Sequence, residues 1–153
     1  MTSIREAQLK FTETVLSAPT GDGTLLTQAR THLGTPYVWG GETTAGLDCS
    51  GLIVLSYNEL AKPFPAGVRT ANSIIKDSDA ASIARDQLVP GDLIGFSHVP
   101  GGYVDHIGIY AGTDDAGHPM MLHAPDVGGV VEEIRLDTPY WQNMTWWPAR
   151  RPL

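Results

Sequence analysis

Five short runs rich in aliphatic, β-branched and aromatic residues follow one another through the second half of the chain: Leu93–Ser97, Ile107–Ala111, Met120–His123, Val130–Ile134 and Trp146–Arg150. Gly, Asp or Pro splits each from the next, so they read as strands at hairpin spacing. The first half has another period. Residues 3–17 read as an amphipathic helix capped by Thr2 or Ser3, with Ile4, Leu9, Phe11 and Val15 at helical intervals. Residues 18–23 read as a turn. A second helix is expected over 24–33, with Leu25, Leu26, Ala29 and Leu33 on one side and Gly34 as its stop. Residues 35–48, with three glycines and a proline, read as a loop, and Cys49 to Leu60 as a helix with a buried stripe of Leu52, Leu55 and Leu60 that Pro63 ends. A short helix is expected over 70–76 and a turn over 87–92. Helices first and strands after predict an α+β domain, its helices packed on one face of an antiparallel sheet.

At 153 residues the chain is one domain of ordinary size, expected to span 1–153. The net charge of −7 repels phosphate backbones and anionic lipid heads, which argues against nucleic acid and membrane surfaces as partners. No run is long and apolar enough to span a bilayer, and the opening residues carry charges where a secretory signal needs an apolar core. A substrate outside the cytoplasm would therefore require another route of delivery. The single cysteine, Cys49, excludes an internal disulfide and a Cys-rich zinc site. No cofactor or metal is expected, and oligomeric state is not legible.

A lone cysteine is by default a small buried apolar residue. The position of Cys49 argues otherwise. It opens a helix directly after a glycine-rich loop, where the partial positive charge and unpaired N–H groups of a helix N-terminus favour a thiolate. That placement predicts a lowered thiol pKa, and the same N–H groups suit an oxyanion. A nucleophilic Cys needs a base. Of five histidines, His32 reads as solvated, His118 as exposed on a hairpin tip, and His98 as ambiguous beside a turn. His106 opens one expected strand and His123 closes its neighbour. A mid-sheet histidine more often fills a core, yet two at the ends of neighbouring strands can face one cleft. His106 then pairs with the sulfur and His123 orients the His106 ring.

The run Gly34-Thr35-Pro36-Tyr37-Val38-Trp39-Gly40-Gly41, followed by Leu47-Asp48-Cys49-Ser50-Gly51-Leu52, resembles the active-site segment of the NlpC/P60 cell-wall peptidases. So do Val89-Pro90-Gly91-Asp92-Leu93, His106-Ile107-Gly108-Ile109-Tyr110 and His123-Ala124-Pro125, in the family's order over residues 24 to 136. The resemblance implies a papain-like fold with Cys49 as nucleophile, His106 as base and His123 as the third polar residue. It implies that Tyr37 approaches the cysteine and that Asp48 helps bind the substrate's amine end. Ser50, Arg69 and Thr70 are carried over as further substrate-binding residues, and Trp39 as either a loop-packing residue or a substrate contact. Gly40, Gly41 and Gly51 read as backbone geometry and Asp92 as structural. Trp141, Trp146 and Trp147 read as packing, with a sugar platform as the alternative.

The implied reaction is hydrolysis of peptidoglycan stem peptides, between γ-D-glutamyl and a diamino acid such as meso-diaminopimelate, through an acyl-enzyme. Its setting would be a phage endolysin, a tail-associated lysin or an excised catalytic domain, with residues 1–18 outside the family motifs. The rival readings are a murein amidase of the same class, a non-catalytic wall-binding relative, and a structural protein with an accidental thiol.

Overall fold

A computed structural model describes residues 24–153. The helix expected over 3–17 and the turn after it lie outside the described residues. The elements are α1 (Thr24–Arg30), a ribbon of β1 (Glu42–Thr43) and β2 (Gly46–Leu47), α2 (Cys49–Glu59), α3 (Ala71–Asp77), β3 (Ala81–Ser82), a single 3-10 turn, β4 (Leu93–Ser97), β5 (His106–Thr113), β6 (Pro119–His123), β7 (Glu132–Arg135), α4 (Pro139–Gln142) and β8 (Thr145–Arg150). Strands β3 to β8 make one open six-stranded sheet in the order β3-β8-β4-β5-β6-β7, antiparallel throughout. The α+β architecture matches the expectation.

Alternation along the strands sends side chains to two cores. Leu93, Ile107, Ile109 and Leu122 pack with Leu25, Leu52, Ile53 and Ile74 of the first three helices. Ile94, Phe96 and Met121 form the other core with Leu136 and Trp141. The expectation of helices on one face only is therefore corrected: α4, unpredicted because it is barely one turn, covers part of the second face through Trp141.

Helix α2 is the central helix. It is buried at Ser50, Gly51, Leu52, Ile53, Val54, Ser56 and Tyr57, far more than the expected stripe, and Leu55 and Leu60 are only half-buried. The reason is tertiary: α1, the β1–β2 ribbon and β5 enclose α2 from several sides. At its start Gly51 sits against the loop so closely that a Cβ there would collide with the carbonyl oxygen of Gly41. Helix α1 is shorter than expected. The chain leaves it at Arg30, Leu33 is exposed, and Gly34 adopts φ +87° while its N–H donates to the Val131 carbonyl at 2.9 Å.

Asp92, in the turn before β4, has no exposure. Its oxygens accept from Arg150 Nε and Nη2, both at 2.7 Å, and from the Val89 N–H at 2.8 Å. This bidentate pair joins the turn to β8. Truncation of Arg150 leaves a carboxylate buried without its counter-charge, a change that costs about 3 kcal/mol. Arg150→Ala is accordingly expected to lower the urea midpoint strongly with an unchanged m-value, whereas Arg135→Ala, which breaks an exposed pair with Asp137, should leave the midpoint nearly where it was.

Candidate active site

Cys49 is the first residue of α2 and is half-buried. Asp48 caps the helix: its Oδ1 accepts the Gly51 N–H at 2.6 Å, and its Oδ2 accepts the Gly40 N–H at 3.1 Å. Gly40 takes φ +75°, a left-handed conformation that glycine adopts without steric cost. The cap and the turn together fix the sulfur at the junction of two cavities.

The first cavity, about 460 Å³, is lined by Cys49, His106 and His123, with Tyr37, Trp141 and Glu132 among its other walls. Sheet register assembles it. His106 starts β5 opposite Phe96 of β4, and His123 ends β6 opposite Glu132 of β7. His106 Nε2 lies 2.8 Å from His123 Nδ1, and His123 Nε2 lies 3.0 Å from Glu132 Oε2. Trp141 lies beside both rings, with centroids at 5.6 Å from His106 and 5.4 Å from His123. Since Nε2 of His106 is engaged, Nδ1 is the ring nitrogen left for the sulfur. The backbone N–H of Ile107, the residue after His106, lies against that sulfur.

A second cavity of about 550 Å³, on the other side of Cys49, is lined by Tyr37, Trp39, Asp48, Ser50, Arg69 and Thr70. All six residues assigned to substrate binding thus share one wall system. Arg69 organises it. Its Nε reaches Glu42 at 2.7 Å, Nη1 donates to Ser50 Oγ at 2.6 Å, and Nη2 lies 3.3 and 3.2 Å from the two Asp48 oxygens. Arg69 is therefore a tether of the cavity wall rather than a free surface charge. Thr70 lines the cavity, but its Oγ1 accepts the Ser73 N–H at 3.1 Å and caps α3. Trp39 does not pack the loop: it is 85% exposed and borders both cavities.

The model of the NlpC/P60 family matches residues 34–150. The chain belongs to the NlpC/P60 family. It is 38% identical over 114 residues to the murein DD-endopeptidase MepH of Escherichia coli, covering 73% of this chain and 39% of that protein. It is 33% identical over 118 residues to a gamma-D-glutamyl-L-lysine dipeptidyl-peptidase of Bacillus cereus, covering 75% of this chain and 32% of that one. The chain thus spans well under half the length of these two relatives. A crystal structure of a Bacillus cereus NlpC/P60 family protein superposes with a TM-score of 0.71 at 33% identity, over 88% of this chain and 41% of that one. The NlpC/P60 fold, papain-like in kind, is the fold described above.

Several expectations about this NlpC/P60 site need correction. The thiol pKa is raised, not lowered: burial and the neighbouring Asp48 carboxylate push Cys49 up to about 11, against the opposing pull of the Ile107 and Ser50 N–H groups and of Arg69. Burial, then His123 and His98, push His106 down to about 3. The helix N-terminus does favour the anion, but the cost of desolvation exceeds it. Both shifts favour a thiol and a neutral imidazole in the free protein. Alkylation of Cys49 by iodoacetamide is expected to be slower at pH 7 than that of a free thiol, whose pKa is about 8.5, and to keep accelerating toward pH 11. A rate plateau already reached at pH 7 contradicts this.

His32 is not solvated. It is buried, with Nε2 2.6 Å from Glu59 Oε1, and ties the turn after α1 to α2. His98 proves to line the first cavity, its Nδ1 2.7 Å from Asp105 Oδ1. His118 lies on the β5–β6 hairpin tip, 3.0 Å from Asp114. The tryptophans near the end pack: Trp141 is buried, Arg85 stacks on Trp146, and Lys76 sits over Trp147.

Glu132 and Asp105 were missed. For Glu132 a signal existed, because counting four residues outward from either side of the Val127–Gly128 turn pairs 123 with 132. Asp105 directly precedes His106 and lines both cavities, a placement that only the fold reveals. Among the described residues no group of three or more His, Cys, Asp or Glu is placed to hold a metal ion, and no helix is long and apolar enough to cross a membrane.

Proposed function

We propose that this chain is a cysteine endopeptidase of the bacterial cell wall, cutting peptidoglycan stem peptides between γ-D-glutamyl and a diamino acid such as meso-diaminopimelate. The observation that carries the reading is the convergence of Cys49, His106 and His123 on one cavity in a member of the NlpC/P60 family. The cavity pair beside Cys49 accommodates a peptide crossing the sulfur, with its amine end toward Asp48 and its diamino acid toward His106.

The chemistry follows from the protonation states. Because the resting pair is neutral, His106 Nδ1 takes the thiol proton as the sulfur attacks the carbonyl carbon. Backbone N–H groups at the start of α2 face the oxyanion. His106 then protonates the leaving amine as the C–N bond breaks. Water, deprotonated by the same imidazole, attacks the thioester, and the thiol regains its proton. Tyr37 and Trp39 shape the cleft. Asp48 shares its charge between Arg69 and an incoming amine, and Ser50 and Arg69 hold that carboxylate in place.

The two relatives' names denote different bonds, one DD and one γ-D-glutamyl-L-lysyl. Mass spectrometry of purified murein digested with the chain distinguishes them. New N-terminal diamino acid ends support the proposal. Cleavage of D,D cross-links alone overturns the assigned bond, and released sugar-free whole stems point to an amidase. Murein left whole but bound points to a non-catalytic relative.

A further inference from the structure

We propose that Glu132 is a positioning residue that sets the tautomer of both active-site histidines and so leaves the second ring nitrogen of His106 free to accept the Cys49 proton. The inference builds on the peptidase reading, and it deepens the account of how His106 serves as base.

The argument is a count of donors and acceptors along one hydrogen-bond chain. Glu132 Oε2 and His123 Nε2 are 3.0 Å apart. An ionised carboxylate only accepts, so His123 Nε2 must carry the hydrogen. A neutral imidazole has one N–H, which leaves His123 Nδ1 bare and able only to accept. His106 Nε2 lies 2.8 Å from that bare nitrogen, so it must be the donor. The one N–H of neutral His106 is then used, and its Nδ1 is left with a lone pair. Burial keeps both rings neutral, because His106 and His123 both have lowered pKa values with desolvation as the first cause. The rings themselves are almost sealed from solvent, whereas the Glu132 side chain is 43% exposed. Among the described residues Glu132 is the carboxylate at the end of this hydrogen-bond chain, and the order of the hydrogens is decided there.

Sheet register explains why position 132 does this. His123 and Glu132 face each other across the β6–β7 pair, so both side chains project to the same face. The segment just before β7 is pinned independently, by Gly34 and Tyr37 N–H groups donating to the Val131 and Gly129 carbonyls, each at 2.9 Å. The carboxylate is thus held on an edge strand tied to the loop that leads to Cys49.

A donor-only side chain at this position should reverse the whole chain. Glu132→Lys would make His123 Nε2 an acceptor, move its hydrogen to Nδ1, turn His106 Nε2 into an acceptor and place the His106 hydrogen on Nδ1, where it blocks proton transfer. Nitrogen-15 NMR of the histidine side chains reads this directly. In the full chain at neutral pH the expected spectrum has a bare Nδ1 on His106; in Glu132→Lys, a protonated one; in Glu132→Ala, a mixture. With murein peptide the Lys variant should lose about a hundredfold in kcat and the Ala variant about tenfold, with KM little changed. Thermal melts of both variants should stay near the wild type, since position 132 is on an exposed edge. An unchanged His106 tautomer in Glu132→Lys overturns the proposal. Reversed tautomers together with a wild-type protein that cuts no murein uphold the role of Glu132 in setting the hydrogen-bond chain, while removing the peptidase reading.

Discussion

Cys49→Ala is expected to abolish release of murein fragments, with a loss in kcat of at least about 10⁴-fold. The size follows from chemistry. Alanine has no lone pair to attack a carbonyl, and nothing else in the chain can take over, because Cys49 is the one cysteine. The variant should still fold. The side chain is small, only half-buried, and makes no hydrogen bond on which the start of α2 depends, since Asp48 performs the capping. Truncating a sulfur of this kind costs on the order of 1 kcal/mol. The measurement is fragment release from purified murein by liquid chromatography, with a urea melt alongside. Activity retained within tenfold in a folded Cys49→Ala protein would remove the cysteine peptidase reading altogether.

The second large effect belongs to His106. His106→Ala should reduce kcat by about 10³-fold or more, for two reasons acting together. The first is the loss of the proton acceptor. A thiol held near pKa 11 is almost wholly protonated at pH 7, so without a base at hand attack requires a thiolate that is scarcely populated. Raising the pH should therefore recover part of the variant's activity, progressively and without a plateau below pH 10. The wild type, which moves the proton internally, should show a much flatter profile over the same range. The second reason is structural. Removing the ring takes the donor from His123 Nδ1 and opens space against Phe96 and Trp141. A core histidine of no chemical importance would show the stability loss but not the alkaline recovery. The pH profile is the discriminating measurement, and its absence in a folded variant would sink the role assigned to His106.

Much of the molecule was legible in the chain itself. The bounds of β4 coincide with the expected run, because Leu93–Ser97 is a short apolar segment closed by turns at both ends. Helix α2 begins where a glycine-rich loop gives way to a continuous apolar stretch, which is why the local sequence is enough to put Cys49 at a helix start. His106 and His123 were recognisable as strand ends, and the order of short motifs pointed to the family. All of these are local properties: propensity, capping and punctuation act over a few residues and leave their mark in the sequence.

What the fold alone decided depends on groups distant along the chain. Helix α4 and the second core were invisible because a four-residue helix carries no period. His32 was misjudged because its partner, Glu59, lies 27 positions away on another helix. Arg69 became a tether only once α2, the ribbon and α3 met around it. The charge state of the site shows the difference most sharply. The sequence correctly located Cys49 at the positive end of a helix, a local effect that favours the thiolate, but it could not report how much water the folded cleft removes from sulfur and imidazole. Ionisation is set by dielectric surroundings and by neighbours across the sheet, and both exist only after the strands have found their register.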